Sequence, residues 1–275
     1  MSQTTNDDIR AAVRETYSTI ALSDGGGCCA PAESGGSSCC APEPELVQIG
    51  SLQLGYSESD LSAVPDGADL GLGCGNPGAI AAMRPGETVL DLGSGAGFDA
   101  FLSARAVGAS GHVIGVDMTP AMVSKARANA EQGDYANVEF RLGEIEYLLV
   151  ADGIVDVIIS NCVINLSPDK AAVFRDAYRV LKPGGRLAIS DVVATAELPA
   201  EVAGDLALYS GCVAGASLVS DLEAAMAAAG FEDIRIAPKD ESKAFIEQWA
   251  PGRSITDYVV SATIEAVKPA QSGCC

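Results

Sequence analysis

The sequence predicts an α/β fold, a doubly wound and mostly parallel sheet. Strand-like and helix-like runs alternate from residue 86 onward, a glycine cluster stands between the first strand and the first helix, and Asp117 closes the second strand. The β-type runs are TVLDLG (88–93), VIGVDM (113–118), VEFRLG (138–143), VDVIIS (155–160) and GRLAIS (185–190). Helical stretches from Phe98 to Val107, Pro120 to Glu131 and Lys170 to Leu181 separate them. Strands alternating with helices specify a parallel sheet covered on both faces.

Upstream, Ile9, Val13, Tyr17 and Ile20 recur about one helical turn apart and predict a helix over 7–21. The stretch LSDGGGCCAPAESGGSSCCAPEPE has almost nothing to bury and reads as a mobile segment. Order returns near Leu46, with turns leading into a short helix past Cys74. Beyond the fifth strand, an irregular insertion at about 193–217 precedes a helix closed by Gly230, a strand, and a last strand over 257–267. The expected organisation is therefore an N-terminal helix and Gly/Ser/Cys-rich segment (1–50), a lead-in carrying Cys74 (51–84), an α/β domain (85–268), and a Cys-terminated tail (269–275).

Composition limits the function. The chain has 275 residues and is 48% hydrophobic, enough for a sizeable core. With 37 acidic residues against 17 basic ones the net charge is −20, which argues against nucleic acid or an anionic membrane as partner. No apolar run is long enough to span a membrane, and the N-terminus lacks the pattern of a secretory signal, so a cytoplasmic protein is expected. Nine cysteines in such a chain call for a role other than structural disulfides. Six form adjacent pairs, Cys28-Cys29, Cys39-Cys40 and Cys274-Cys275, too close for an unstrained disulfide within a pair. The terminal SGCC is not a prenylation signal.

The glycine loop VLDLGSGAGFDAF places Gly93, Gly95 and Gly97 where a backbone must turn sharply and approach a ligand. Its G-x-G-x-G spacing departs from the dinucleotide fingerprint, and no Walker lysine follows. Asp117 is placed to accept hydrogen bonds from ribose hydroxyls. Asp91, the three glycines, Asp117 and the later RVLKPGGRLAISD together resemble the class I S-adenosylmethionine-dependent methyltransferases, which are Rossmann-like. The resemblance implies that Gly93, Ser94, Gly95 and Gly97 line the methionine and ribose, and that Asp117 and Met118 hold the ribose and adenine. It also implies Glu144 and Ile145 along the adenine and Asn161 near the methionine.

SNCVINLS (160–167) puts Cys162 at the tip of the fourth strand, where a methyltransferase commonly places a general acid or base. A thiol is a poor base and a strong ligand for thiophilic centres. The one histidine, His112, reads as a surface turn residue, so no conventional acid–base pair is present. Cys74 lies ahead of the first strand and Cys212 in the insertion after the fifth, and in a doubly wound sheet both segments can cover the same carboxyl edge as Cys162. Each taken alone reads as a small buried hydrophobe, the commonest fate of a free cysteine, and it is their joint placement in loops that points to a shared ligand role.

LGLGCGNPG, VLDLGSGAGFD, GVDMTPAMVSKAR, DVIISNCVINLSPDK and YSGCVAGA together resemble the arsenite methyltransferases over about residues 50–220. That resemblance implies S-adenosylmethionine as cofactor, Cys74, Cys162 and Cys212 as As(III) ligands, and methyl transfer to thiol-bound arsenic for detoxification. It implies that a methylated arsenical is held by Cys162 and Cys212, while Asn161 and Asn165 orient loops or the cofactor. Glutathione or thioredoxin is the expected reductant, and the terminal pairs would capture arsenite or exchange thiols. The chain departs from longer members in its short region after about residue 218 and in its two N-terminal cysteine pairs, so no N-terminal ligand is assigned. Two alternatives stand beside this: a methyltransferase of a small organic substrate such as a quinone or sterol carbon, and a thiol-rich metalloid-sequestering protein. A structural zinc site is disfavoured, since no C-x-x-C pair is present.

Overall fold

In a computed structural model, residues 5–23, 50–250 and 252–270 are described. Cys28, Cys29, Cys39, Cys40, Cys274 and Cys275 lie outside the described residues, as does the Gly/Ser-rich segment around the first four. The seven strands are β1 (Thr88–Leu92), β2 (His112–Asp117), β3 (Val138–Leu142), β4 (Val155–Asn161), β5 (Leu181–Ala194), β6 (Glu232–Lys239) and β7 (Val259–Val267). They form one sheet in the order β3-β2-β1-β4-β5-β7-β6. The first five run parallel, and β7 lies antiparallel between β5 and β6. This is the mostly parallel, doubly wound sheet that the alternating runs predict.

Alternate residues of each strand serve opposite faces, as the pleat requires. Leu90, Ile114, Ile158 and Ile189 pack with Phe174, Leu222 and Met226, from the helices Lys170–Val180 and Val219–Ala229. Val89, Val113, Val157 and Ile159 pack with Phe101, Ala104 and Val107 of the helix Phe98–Val107. Both faces of the central strands are therefore dry, which accounts for the nearly continuous burial along β1, β2 and β4.

The chain winds outward from β1 through β2 to β3, then crosses back to β4 on the other side of β1. Leu92 pairs with Ser160 at that reversal, so the loop after β1 and the tip of β4 open side by side. A doubly wound sheet presents its ligand crevice at this place. Helix α1 (Asn6–Leu22) lies over it, opened by a capping box in which Thr5 Oγ1 accepts from Asp8 N at 3.2 Å and Thr5 N donates to Asp8 Oδ2 at 2.8 Å. Among the described residues no helix is long and apolar enough to cross a membrane.

Candidate active site

Two clefts meet above the carboxyl edge of the sheet. The larger, of about 1070 Å³, is lined from the β1 loop by Asp91, Gly93, Ser94 and Gly95, and from β2 by Asp117 and Met118. Ile145, Asn161 and Cys162 complete that side, and α1 closes it from above with Arg10, Val13 and Tyr17. The second cleft, of about 810 Å³, is lined by Cys162, Cys212, Thr16, Tyr17 and Trp249. Cys162 belongs to both.

The first cleft is acidic. Asp117 accepts from Gly95 N at 3.0 Å through Oδ2 and from Thr119 N at 2.8 Å through Oδ1, which holds the glycine loop against the end of β2. Burial raises its pKa above the ordinary value and raises that of Asp91 well above. Asp99, in the first turn of Phe98–Val107, accepts from Tyr56 Oη at 2.6 Å and from Asn161 Nδ2 at 3.1 Å. Its carboxyl is pushed up to about 6 by burial, against the lowering effect of those two hydrogen bonds. Ser94 Oγ is buried with no protein partner. Arg10, the one cation in the lining, is committed to Glu146 at 3.0 Å and Glu144 at 3.4 Å.

Three cysteines are buried in one apolar cluster with Val13, Leu166, Val192, Leu208, Val213 and Ile255. Among the described residues Cys74, Cys162 and Cys212 are the cysteines, and all are free. The Cys74 and Cys162 sulfurs and an Asp191 oxygen lie within 4.8 Å of one another. Cys212 Sγ donates to Cys162 O at 2.8 Å. The Cys162 thiol is pushed well above its usual pKa by contact with the Cys212 and Cys74 thiols and by burial, and Cys74 is raised by burial. Cys74 and Cys162 are therefore neutral thiols at pH 7, so they pack together without mutual repulsion.

The motif that carries Cys162 also gathers the other two. Asn161 accepts from Cys74 N through Oδ1 at 3.0 Å and donates through Nδ2 to Gly75 O at 2.8 Å, pinning the Cys74 loop to the tip of β4. Asn165 donates to Asp191 Oδ1 at 2.9 Å, Val192 O at 2.6 Å and Cys212 O at 3.4 Å, pinning the Cys212 loop on the other side. Lys170 Nζ reaches Gly215 O at 2.7 Å and holds the same loop from below. Two asparagines four residues apart thus bring segments 88 residues upstream and 50 downstream to one thiol.

Residues 83–243 match the family model described as a methyltransferase domain. An arsenite methyltransferase from Halobacterium salinarum is 60% identical over 96% of this chain and 68% of that protein. An arsenite methyltransferase from Aquipseudomonas alcaligenes is 50% identical over 60% of this chain, which spans about half (49%) of that relative. Among solved structures, an arsenic(III) S-adenosylmethionine methyltransferase from Chlamydomonas reinhardtii is 37% identical with a TM-score of 0.61, covering 74% of this chain and 69% of that one.

The chain belongs to the arsenite methyltransferase family. The family's cofactor, S-adenosylmethionine, carries a sulfonium and an ammonium, and the cleft fits it. Asp69, Asp91, Asp99, Asp117 and Glu146 line the space, the one lining cation is already paired, and the Ser94 hydroxyl in that lining is buried without a protein partner. A phosphate-bearing nucleotide would meet the wrong charge.

Against the residues expected for an arsenite methyltransferase, the cleft includes Asp91, Gly93, Ser94, Gly95, Asp117, Met118, Ile145, Asn161 and Cys162. Gly97 and Glu144 fall outside the lining. Gly97 has φ 99° and opens the helix Phe98–Val107, and a Cβ there would sit 2.7 Å from the Phe101 ring and 2.8 Å from Phe140, so its task is close packing beneath the loop. Glu144 sits in a turn closed by Tyr147 N donating to Glu144 O, which carries Ile145 and Glu146 inward and leaves Glu144 to Arg10 at the rim. His112 opens β2 beside Glu139 at 3.1 Å, at the opposite edge of the sheet. Arg10, Tyr17, Tyr56, Asp99 and Glu146 were not anticipated. A capping box on an amphipathic helix marks α1 as a helix, but nothing in its sequence says what it covers.

Proposed function

We propose that this chain transfers methyl groups from S-adenosylmethionine to trivalent arsenic held by Cys74, Cys162 and Cys212. The observation that carries the proposal is the shared position of Cys162, which lines the cofactor cleft and also touches both other thiols. Arsenite would exchange its hydroxyls for thiols, each arsenic–sulfur bond forming as a thiol proton leaves with hydroxide as water. Balance therefore needs no protein base, which suits a chamber of neutral thiols with its histidine at the far edge of the sheet.

The resulting pyramidal arsenic keeps a lone pair. When bound, S-adenosylmethionine would supply an electrophilic methyl on sulfur, with a neutral thioether as the leaving group. Asp91, Asp99 and Asp117 would hold its cationic and ribose portions, and Cys162 would place arsenic at the boundary of the two clefts, so the chain would contribute mainly proximity and alignment. The apolar walls around the thiols keep water from the arsenic–sulfur bonds. Methyl transfer oxidises arsenic formally by two electrons. A thiol reductant, glutathione or thioredoxin, returns it to the trivalent state and restores the free cysteines. Free buried thiols suit a reducing compartment, and we place the protein in the cytoplasm with arsenic detoxification as its task. The Cys28-Cys29 and Cys39-Cys40 pairs would capture arsenite or exchange thiols.

Turnover of arsenite with glutathione and S-adenosylmethionine, with the arsenic species separated and quantified, tests this reading. Methylated arsenic is expected from the parent. Tight cofactor binding with no methylated arsenic would favour an organic acceptor instead.

A further inference from the structure

The two clefts share one partition. Tyr17, Gly71, Leu72, Gly73 and Cys162 line both. Two of the five are glycines, and Cys162 is the proposed ligand, so the bulky part of the wall is Leu72 and Tyr17. Leu72 sits between glycines directly ahead of Cys74, where a Cβ on Gly73 would lie 2.7 Å from Asn161 Nδ2. It is therefore locked to the ligand-bearing loop. Tyr17 alone comes from an element that carries no ligand.

Its position is well held. Tyr17 Oη donates to Ser210 O at 3.3 Å, next to the Cys212 loop, and Thr16 Oγ1 lies 3.5 Å from Ser210 Oγ. One turn away Val13 is buried among the cysteines, and two turns away Arg10 grips Glu146 at 3.0 Å. At the far end Lys125 Nζ reaches Ala21 O at 3.4 Å. These contacts hold the helix in place and the hydroxyl of Tyr17 to the segment that carries Cys212.

Burial, with Cys212, Cys162 and Asp117 nearby, pushes the phenol well above its usual pKa. It stays neutral, neither a base nor an anion competing for the sulfonium, which leaves steric exclusion as its contribution. An arsenical held by Cys162 and Cys212 has one further substituent. The cleft lined by those two cysteines meets the first cleft at a wall to which this ring contributes.

We infer that Tyr17 sets the upper size of that substituent, so that α1, rather than the cysteines, determines which trivalent organoarsenicals are methylated. The inference rests on the reading of the site as an arsenical methyltransferase. It separates two properties usually placed in one set of residues: the thiols select the element, and Tyr17 selects what else the element carries.

Methylarsenite and phenylarsenite, both with glutathione and S-adenosylmethionine, are the probes. The ratio of their kcat/KM values is measured on the parent, Tyr17→Phe, Tyr17→Leu and Tyr17→Ala. Because each ratio is taken on one preparation, partial loss of folded protein cancels. Tyr17→Ala is expected to raise the phenyl-to-methyl ratio by about tenfold or more, Tyr17→Leu by less, and Tyr17→Phe to keep the parental ratio. Should the alanine variant fail to fold, the leucine variant decides. A ratio unchanged in the folded variants, with the parent turning over methylarsenite, overturns the inference and leaves the proposed function standing. A parent that binds cofactor yet methylates neither arsenical overturns both.

Discussion

Cys212 Sγ donates to the carbonyl oxygen of Cys162 at 2.8 Å, and both residues hold left-handed backbone, with φ of 63° and 60°. Such a conformation costs a non-glycine residue on the order of 1–3 kcal/mol. It persists here because the surroundings over-determine it: Cys162 N donates to Ser190 O at 2.8 Å, Cys212 N to Tyr209 O at 3.0 Å, and Asn165 bridges the two loops. In both cases the kink turns a cysteine inward at the end of a regular element, which is where strain serves a site.

The three thiols are not equivalent. Cys162→Ser is expected to abolish methylation of both arsenite and methylarsenite while leaving cofactor affinity within about twofold, since oxygen replaces sulfur without loss of shape. Cys212→Ser should behave alike. Cys74→Ser is expected to lose arsenite turnover and to keep methylarsenite turnover, because a methylated arsenical needs two thiols. Rates with each substrate check this; equal loss on both substrates in Cys74→Ser contradicts the division.

Asp117 holds the glycine loop through Gly95 N and Thr119 N and is the acceptor at the end of β2. Replacing it by alanine removes hydrogen bonds to an ionised acceptor, each worth about 1.5–3 kcal/mol. The cofactor Kd should rise roughly 10- to 100-fold. Calorimetric titration with S-adenosylhomocysteine measures it, and an unchanged Kd removes Asp117 from the cofactor site.

Burial lifts Asp99 from 3.8 to about 6 in the folded chain. The folded state therefore binds a proton more tightly than the unfolded one. The contribution of Asp99 to stability is greatest below about pH 4 and declines as pH climbs to about 6. Cofactor binding has the opposite sign, since ionised Asp99 attracts a cation. Affinity for S-adenosylmethionine should increase as pH passes upward through about 6. Titrations from about pH 5 to 8 on the parent and Asp99→Asn test this, and a slope of equal size in the variant assigns it elsewhere.

Gly215 lies where a Cβ would come 2.0 Å from Asn165 O, a backbone atom that cannot step aside. Gly215→Ala is expected to cost about 1–3 kcal/mol of stability through overpacking. It should also push the Cys212 loop away from Asn165, lowering arsenite turnover more than cofactor affinity. Thermal melts and the two assays together distinguish this from a general loss of folded protein.

The sheet was legible because short apolar β-type runs are separated by helical stretches, with β3 to β4 the one step between parallel strands β1 to β5 that has no helix. The helix expected from Phe98 to Val107 is found with those bounds, and β1 to β4 lie within a residue of the expected runs. Glycine spacing and Asp117 pointed to the first cleft, whose lining includes Gly93, Gly95 and Asp117; of the three isolated cysteines Cys162 and Cys212 line the second cleft, while Cys74 is buried behind it beside Cys162. What escaped depends on pairings distant in sequence. Arg10 meets Glu146 across 136 residues, and Tyr56 meets Asp99 across 43. Local pattern identifies α1 as an amphipathic helix but does not aim its buried face. The choice of Glu146 over Glu144 rests on one turn closed by Tyr147 N, a detail no periodicity encodes.

The most direct test of the thiol site is the arsenic K-edge absorption spectrum of fully reduced protein holding one equivalent of arsenite, in a parent background with Cys28, Cys29, Cys39, Cys40, Cys274 and Cys275 changed to serine. Three sulfur neighbours are expected for the parent. Cys74→Ser should retain two, and the variant with Cys74, Cys162 and Cys212 all changed to serine should lose the three-sulfur signal. Fewer than three sulfur neighbours in the parent background would contradict the account, since arsenic would then depend on cysteines outside the chamber.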